Sequence, residues 1–280
     1  MDCDWGSLLS VLPGWLRQEV DELGKNTLQE LRLRQGQPPE LILEGKPWEL
    51  GRAVTQEDLT FCINAASGYS PWSVESCAEG YLTITGGHRM GLCGQCVTQD
   101  GRPAGFRELD SLCIRVARDL RGLAPEDSAN LGSVLILGAP GWGKTTLLRC
   151  ICRRIAQTHC VCVVDERQEL FPRGFQRGRR MDVLSGCGKE AGIEMVLRSM
   201  GPDYIAVDEI TAQADAQALV RASGCGVRLL ATAHAAGKQD LLTRPCYQVL
   251  LEKGIFDTVL LLNRDKSFHR ERMERWVTNG

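Results

Sequence analysis

Nine consecutive residues, Gly138-Ala139-Pro140-Gly141-Trp142-Gly143-Lys144-Thr145-Thr146, combine three glycines with a lysine and two hydroxyl side chains. That combination suits the holding of a polyphosphate. Glycines let successive backbone N–H groups turn toward phosphate oxygens with no Cβ in the way. A helix starting here aims the positive end of its dipole at the same anion. The Lys144 ammonium then suits the β- and γ-phosphates, and the Thr145 hydroxyl suits a place in a Mg²⁺ shell. The pattern is the Walker A P-loop, so a nucleoside triphosphate and Mg²⁺ are the expected ligands. Trp142 is an unusual residue for such a loop, and its bulk is expected to face outward.

Two pairs of acids follow at comparable places. Tyr204-Ile-Ala-Val207 ends in Asp208-Glu209. A carboxylate at such a strand end can hold Mg²⁺, directly or through water, which fits Asp208 as a metal residue. Glu209, one residue further, suits a general base that polarises water. Val163-Val164 ends likewise in Asp165-Glu166, followed by Arg167. These acids either reach the γ-phosphate side and activate water, or form a strand-end turn with an ion pair to Arg167. Which of Glu166 and Glu209 is the base stays open. Ala231-Thr-Ala-His234 closes another strand. If that strand lies between the P-loop strand and the Asp208 strand, His234 stands beside the γ-phosphate as a sensor. Otherwise it is a solvated loop histidine.

The elements that must position these residues are legible from apolar patterning. Strands are expected at 133–137, 161–164, 204–207, 227–230 and 256–262, with helices after the P-loop, around 193–200 and over 212–222. Alternating strands and helices imply a parallel sheet with right-handed crossovers, and ligands outside its carboxyl ends. Residues 267–277 suit an antiparallel edge. Before residue 122 the reading is different. Short helices over 7–23 and 71–78, a Thr55-capped helix to about Ser67, and strands at 28–34, 41–43, 81–85, 88–97 and 112–117 suit a small α+β domain. The expected organisation is therefore a domain over 1–121, a polar linker over 122–132 and an α/β domain over 133–280.

Composition narrows the function classes. Hydrophobic residues make up 43 % of the 280, enough for sizeable cores. A net charge of −2 speaks against a dedicated nucleic-acid surface. The arginines at 173, 177, 179 and 180 are a local exception and read as a solvated loop or a contact to a subunit, phosphate or nucleic acid. The amino-terminal residues lack the pattern of a secretory signal, and no apolar run is long enough to span a bilayer. Any membrane role is expected to come through a partner. The 13 cysteines suit a reducing compartment, with most of them packed as small hydrophobes. Cys93-Gly-Gln-Cys96 has a metal or redox spacing, but it stands alone on a strand-like stretch and is read as packing, with no metal.

Taken together, these motifs resemble the stage III sporulation protein AA family of endospore-forming bacteria, itself related to the hexameric ATPases of type II and type IV secretion and of type IV pili. The resemblance covers nearly the whole chain. It is carried by Gly80-Tyr-Leu-Thr-Ile-Thr-Gly-Gly-His-Arg-Met-Gly91, Ile114-Arg-Val-Ala-Arg118, Val164-Asp-Glu-Arg167, Leu197-Arg-Ser-Met200 and Ala231-Thr-Ala-His234. It implies a RecA-like P-loop domain that hydrolyses ATP with Mg²⁺, an Asp box at Asp165-Glu166 and a His box at His234. It further implies a cytoplasmic homo-hexameric motor, peripheral to the membrane through membrane proteins of the channel joining mother cell and forespore. In secretion ATPases, arginines of the N-terminal domain approach nucleotide, which gives Arg89 and Arg115 a task. The chain departs from the family at Cys187-Gly-Lys189, where a proline commonly precedes the lysine. The alternative is a nucleotide-dependent scaffold that binds ATP with little hydrolysis.

Overall fold

A computed structural model describes residues 3–24, 26–69, 80–235 and 237–273. The chain divides into two compact units, Met1–Asp119 with Pro172–Phe175, and Leu120–Phe171 with Gln176–Gly280. Each has its own core.

The second unit is built on a seven-stranded sheet. In chain order its strands are β7 (Val134–Leu137), β8 (Val161–Asp165), β9 (Met181–Ser185), β10 (Tyr204–Val207), β11 (Arg228–Ala233), β12 (Thr258–Leu262) and β13 (Phe268–Arg272). They lie in the order β13-β12-β7-β11-β10-β8-β9, all parallel except β13. β7, β8 and β10 are buried throughout because helices cover both faces of the sheet, which is why they read as continuous apolar runs. Alternate residues serve opposite faces. Val134 and Ile136 pack with Leu147, Leu148 and Ile151 of the helix Lys144–Ile155. Leu135 and Leu137 pack with the layer formed by Lys189–Ser199, Gln213–Gly224 and Pro245–Glu252.

This arrangement gathers chemistry at one end. β11 lies between β7 and β10, the position that brings His234 toward the P-loop. The carboxyl tips of β7, β8, β10 and β11 lead into Gly138, Asp165-Glu166, Asp208-Glu209 and His234 respectively.

The first unit is α+β, with an antiparallel sheet of six strands in the order β3-β2-β1-β6-β5-β4. These are β1 (Leu28–Arg34), β2 (Glu40–Leu43), β3 (Lys46–Glu49), β4 (Tyr81–Thr83), β5 (Arg89–Gln99) and β6 (Arg102–Arg115). Helices α1 (Trp5–Ser10), α2 (Gly14–Leu23) and α3 (Gln56–Ala66) complete the unit. Leu31, Leu33, Leu41, Met90, Leu112 and Ile114 are buried in its core, while the alternating positions carry Glu30, Arg32, Arg34, Arg89 and Arg115. α3 begins with the expected capping box: the Thr55 side chain accepts from the Asp58 N–H, and Asp58 accepts from the Thr55 N–H. His88, from the stretch that carries the family resemblance, is fully buried. Its Nε2 lies 2.8 Å from the Asp4 carbonyl and its Nδ1 3.1 Å from the Ala117 N–H, so the ring ties three segments together. Burial pushes its pKa below the usual histidine range.

Several expectations are corrected. Residues 122–132 are not a free linker: Ser128–Asn130 form a 3-10 turn, and Leu131 is buried against Val134 and Ile136. The parallel sheet has a further strand, β9, which lies at an edge and therefore lacks a continuous apolar run. Cys93 and Cys96 are on a strand as expected, but both are exposed rather than packed. Cys62, Cys150, Cys152 and Cys162 are buried as small hydrophobes. The helix expected over 71–78 lies outside the described residues, as does the end of the 267–277 edge. Among the described residues no helix is long and apolar enough to cross a membrane.

Candidate functional site

The P-loop joins β7 to α4 (Lys144–Ile155). Gly143 sits directly before the helix at φ 98°, and Gly141 adopts φ 78°, backbone states that other residues rarely hold. A Cβ on Gly138 would lie 3.2 Å from Leu262 Cβ, so a larger residue there would crowd that side chain. Trp142 is corrected by the structure: it is half-buried and packs against the core that contains Leu262, where it walls the loop rather than facing outward.

Lys144 is buried, and its Nζ donates to the Gly138 carbonyl at 2.8 Å and the Ala139 carbonyl at 3.1 Å. The same Nζ lies 3.1 Å from His234 Nδ1. An ammonium has only hydrogens to give, so Nδ1 accepts and Nε2 carries the ring proton. Nε2 is 3.1 Å from Glu209 Oε2, which completes a chain Lys144–His234–Glu209. Burial holds the Lys144 pKa below the usual lysine range, against the opposing pull of Glu209 and Asp208.

One strand across, Thr145 Oγ1 stands 3.1 Å from Asp208 Oδ2. A hydroxyl and a carboxylate at this separation are hard oxygen donors of the type Mg²⁺ takes, with phosphate oxygens and water completing its shell. Asp208 is itself held in place. Its Oδ1 accepts from Thr232 Oγ1 at 2.7 Å and from the Glu209 N–H at 3.0 Å. Thr232 Oγ1 also accepts from the Glu209 N–H at 2.9 Å. Thr232 is fully buried between the two tips, yet the sequence reading assigned it no role. Its signal was its place in Ala231-Thr-Ala-His234, one pleat before the histidine.

The Asp165-Glu166 tip is built differently. Asp165 is 2 % exposed and its carboxylate accepts three backbone N–H groups, from Glu169 at 2.8 Å, Leu170 at 3.1 Å and Phe171 at 2.8 Å. Arg149 clasps the same loop by donating to the Glu169 and Leu170 carbonyls. Asp165 thus organises the loop, and its oxygens are not turned toward water activation as the sequence reading allowed. Burial raises its pKa above the usual aspartate range despite the three donors. Glu166 instead pairs with Lys189, Nζ to Oε2 2.6 Å, rather than with the neighbouring Arg167. Glu166, Lys189, Asp208, Glu209 and Thr211 line one cleft of about 120 Å³. A larger cavity of about 1020 Å³ lies at the opposite ends of the strands, beside Gly132, His159 and Arg228, away from this chemistry.

Residues 7–272 match the model of the family described as sporulation stage III, protein AA. The chain belongs to this family. The stage III sporulation protein AA of Bacillus subtilis (strain 168) is 37 % identical over 92 % of this chain and 91 % of its own length. Among solved structures, the pilus retraction motor PilT aligns over 88 % of this chain and 76 % of its own, at a TM-score of 0.64 and 16 % identity. The Legionella pneumophila ATPase DotB aligns over 93 % and 80 %, at 0.60 and 17 %. Such identities show the fold, a mixed α/β chain with a parallel sheet.

The two first-unit arginines expected near nucleotide, Arg89 and Arg115, lie together. Arg89 and Arg115 are register partners on β5 and β6. Arg89 stacks on Tyr81 with its guanidinium carbon 3.8 Å from the ring centroid, and Arg115 lies 3.4 Å from Glu30. Of the basic run, Arg173, Arg177, Arg179 and Arg180 are all exposed, which fits either a solvated loop or a contact surface. At position 188, where the resemblance led to the expectation of a proline, Gly188 takes φ −58° and ψ 149°. Those are values a proline holds, so the glycine keeps the loop's shape.

Proposed function

We propose that this chain is an ATP-hydrolysing motor of the sporulation channel between mother cell and forespore, working as a ring of identical subunits. The observation that carries the reading is the convergence of Lys144, Thr145, Asp208, Glu209 and His234 through contacts of 2.7–3.4 Å at the tips of three adjacent strands. Lys144 would exchange the Gly138 and Ala139 carbonyls for phosphate oxygens, and the backbone N–H groups of residues 141–146 would close on the same anion. Thr145 and Asp208 would hold Mg²⁺, which when bound supplies charge neutralisation between the β- and γ-phosphates. Glu209 or Glu166 would orient and deprotonate the attacking water. His234 links Lys144 to Glu209 and so can report an occupied phosphate site to the acid. The PilT structure holds bound ADP, which supports a nucleotide at the corresponding loop.

Arg89 and Arg115 are proposed to approach the nucleotide when the ring assembles. An arginine supplied by a neighbouring subunit contributes about 10³–10⁵ in rate in related P-loop systems. Hydrolysis is then expected to depend on assembly. The partners are membrane proteins of the channel, and the protein works on the cytoplasmic side without spanning the bilayer. Phosphate release per subunit, followed against protein concentration together with solution mass, tests this directly. The rate is expected to rise as the chain assembles, and a rate independent of concentration across the assembly range would contradict it. ATP binding with no turnover in any assembled state would leave the scaffold reading standing instead.

A further inference from the structure

We propose that Lys189 is a positioning residue of this site: it fixes the Glu166 carboxylate beside Asp208 and Glu209 and sets the charge that the cleft presents to a divalent cation. This rests on the ATPase reading above and names a device within it.

Lys189 is the first residue of the helix Lys189–Ser199, so its side chain leaves the backbone at a fixed point held by the proline-like turn at Gly188. The side chain is only 10 % exposed, whereas that of Glu166 is 40 % exposed. A lysine this far from water needs a compensating partner, and the 2.6 Å contact to Glu166 Oε2 supplies one. Glu166 has no comparable need, since solvent is open to it. The lysine therefore dictates where the glutamate stands.

Charge gives the second argument. The cleft is lined by the carboxylates of Glu166, Glu169, Asp208 and Glu209, with Asp165 buried beneath. Like charges so gathered repel, and the freest of them would turn outward into water. Arg167 and Lys189 are the cations of this lining, and Lys189 is the one paired with Glu166. Its removal is expected to loosen Glu166 within the cleft while taking one positive charge from it, which leaves a more negative surface for a divalent ion.

The test uses the full chain with Lys189→Ala, Lys189→Arg, Glu166→Gln and the Lys189→Ala/Glu166→Gln double variant. Lys189→Ala should lower kcat about 10–100-fold while the KM for ATP stays within about two-fold, because a positioned acid or base contributes about 10²–10⁴ in proton-transfer steps and a loosened one forfeits part of that. Lys189→Arg should restore most of the loss. At saturating Mg²⁺ the double variant should be no slower than Glu166→Gln alone, because the lysine acts on the chemical step through the glutamate. A readout without turnover is Mg²⁺ titration of the binding of a non-hydrolysable ATP analogue. Its midpoint should fall several-fold in Lys189→Ala, since a cation has left the cleft. If the wild type turns over no ATP, the ATPase reading fails, and the Mg²⁺ midpoint still decides the role of Lys189. An unmoved midpoint, or a double variant much slower than Glu166→Gln, would overturn the proposal. Lys189→Arg keeps the cation, so a folded Lys189→Arg protein with no recovery would do the same.

Discussion

β8 and β10 lie side by side, with Val164 opposite Val207, and each leads into an Asp-Glu pair. The pairs occupy equivalent places and have different surroundings. Asp165 is closed over by its own returning loop and spends both oxygens on backbone N–H groups. Asp208 remains half-buried, braced by Thr232 from one side and reached by Thr145 from the other. The glutamates diverge too, Glu166 toward Lys189 and Glu209 toward His234. The strand delivers the dipeptide to the working end of the sheet, but the next loop and the neighbouring tip decide its role. One aspartate is framework and the other is available to a metal.

The comparison can be broken most forcefully at Asp208. Asp208→Asn should cut ATP turnover by about 10²–10³-fold, the scale of losing one preorganised electrostatic group. Thermal unfolding should move little. A variant with near wild-type phosphate release would show that the two aspartates were assigned the wrong way round.

Asp165→Ala should act on stability instead. It leaves three N–H groups without their acceptor beneath the 166–171 loop, and each buried unsatisfied group costs about 1–3 kcal/mol, less where water enters. A loss of about 3 kcal/mol in urea unfolding is expected, and a change under 1 kcal/mol would remove the structural role.

pH sharpens the same contrast. Because burial raises the Asp165 pKa above the ordinary 3.8, the folded chain binds that proton more tightly than the unfolded one. The resulting stability is fully present below the unfolded value and is lost as pH rises through the folded one. Asp165→Asn cannot titrate, so its stability deficit relative to wild type should be largest at the acid end and shrink as pH rises through that window. Urea unfolding over a pH series starting near 3.8 measures this, and a deficit that grows with pH would reverse the sign. The smallest effect concerns the lysine that holds Glu166. Gly188→Pro should raise stability by about 0.4–1 kcal/mol, because the backbone already has proline's angles and only unfolded-state freedom is reduced. Loss of stability in calorimetry would show that the loop depends on the glycine.

How much of this was legible in the sequence follows from the range of the interactions involved. β7 and β10 could be read because parallel strands buried on both faces leave uninterrupted apolar runs. The helix starts at Thr55 and Lys144 could be read because caps and phosphate loops are local. β9 was hidden because an edge strand with mixed polarity gives no such run. The order that sets β11 between β7 and β10 could be stated only as a condition, since pairing in a parallel sheet is not written in any one segment. Asp165 was left with two readings because its partners arrive by a loop that folds back. Lys189 lies 23 residues beyond Glu166, and nothing local couples them. Trp142 was expected to face outward, yet it packs against the core that contains Leu262.

Phosphate release from Mg²⁺-ATP by the purified assembled wild type, measured alongside Lys144→Ala, is the most direct test of hydrolysis at this site. Steady release by the wild type, with release at background in a folded Lys144→Ala protein, is the predicted result. Equal release by the two proteins would contradict it, as would none from the assembled wild type.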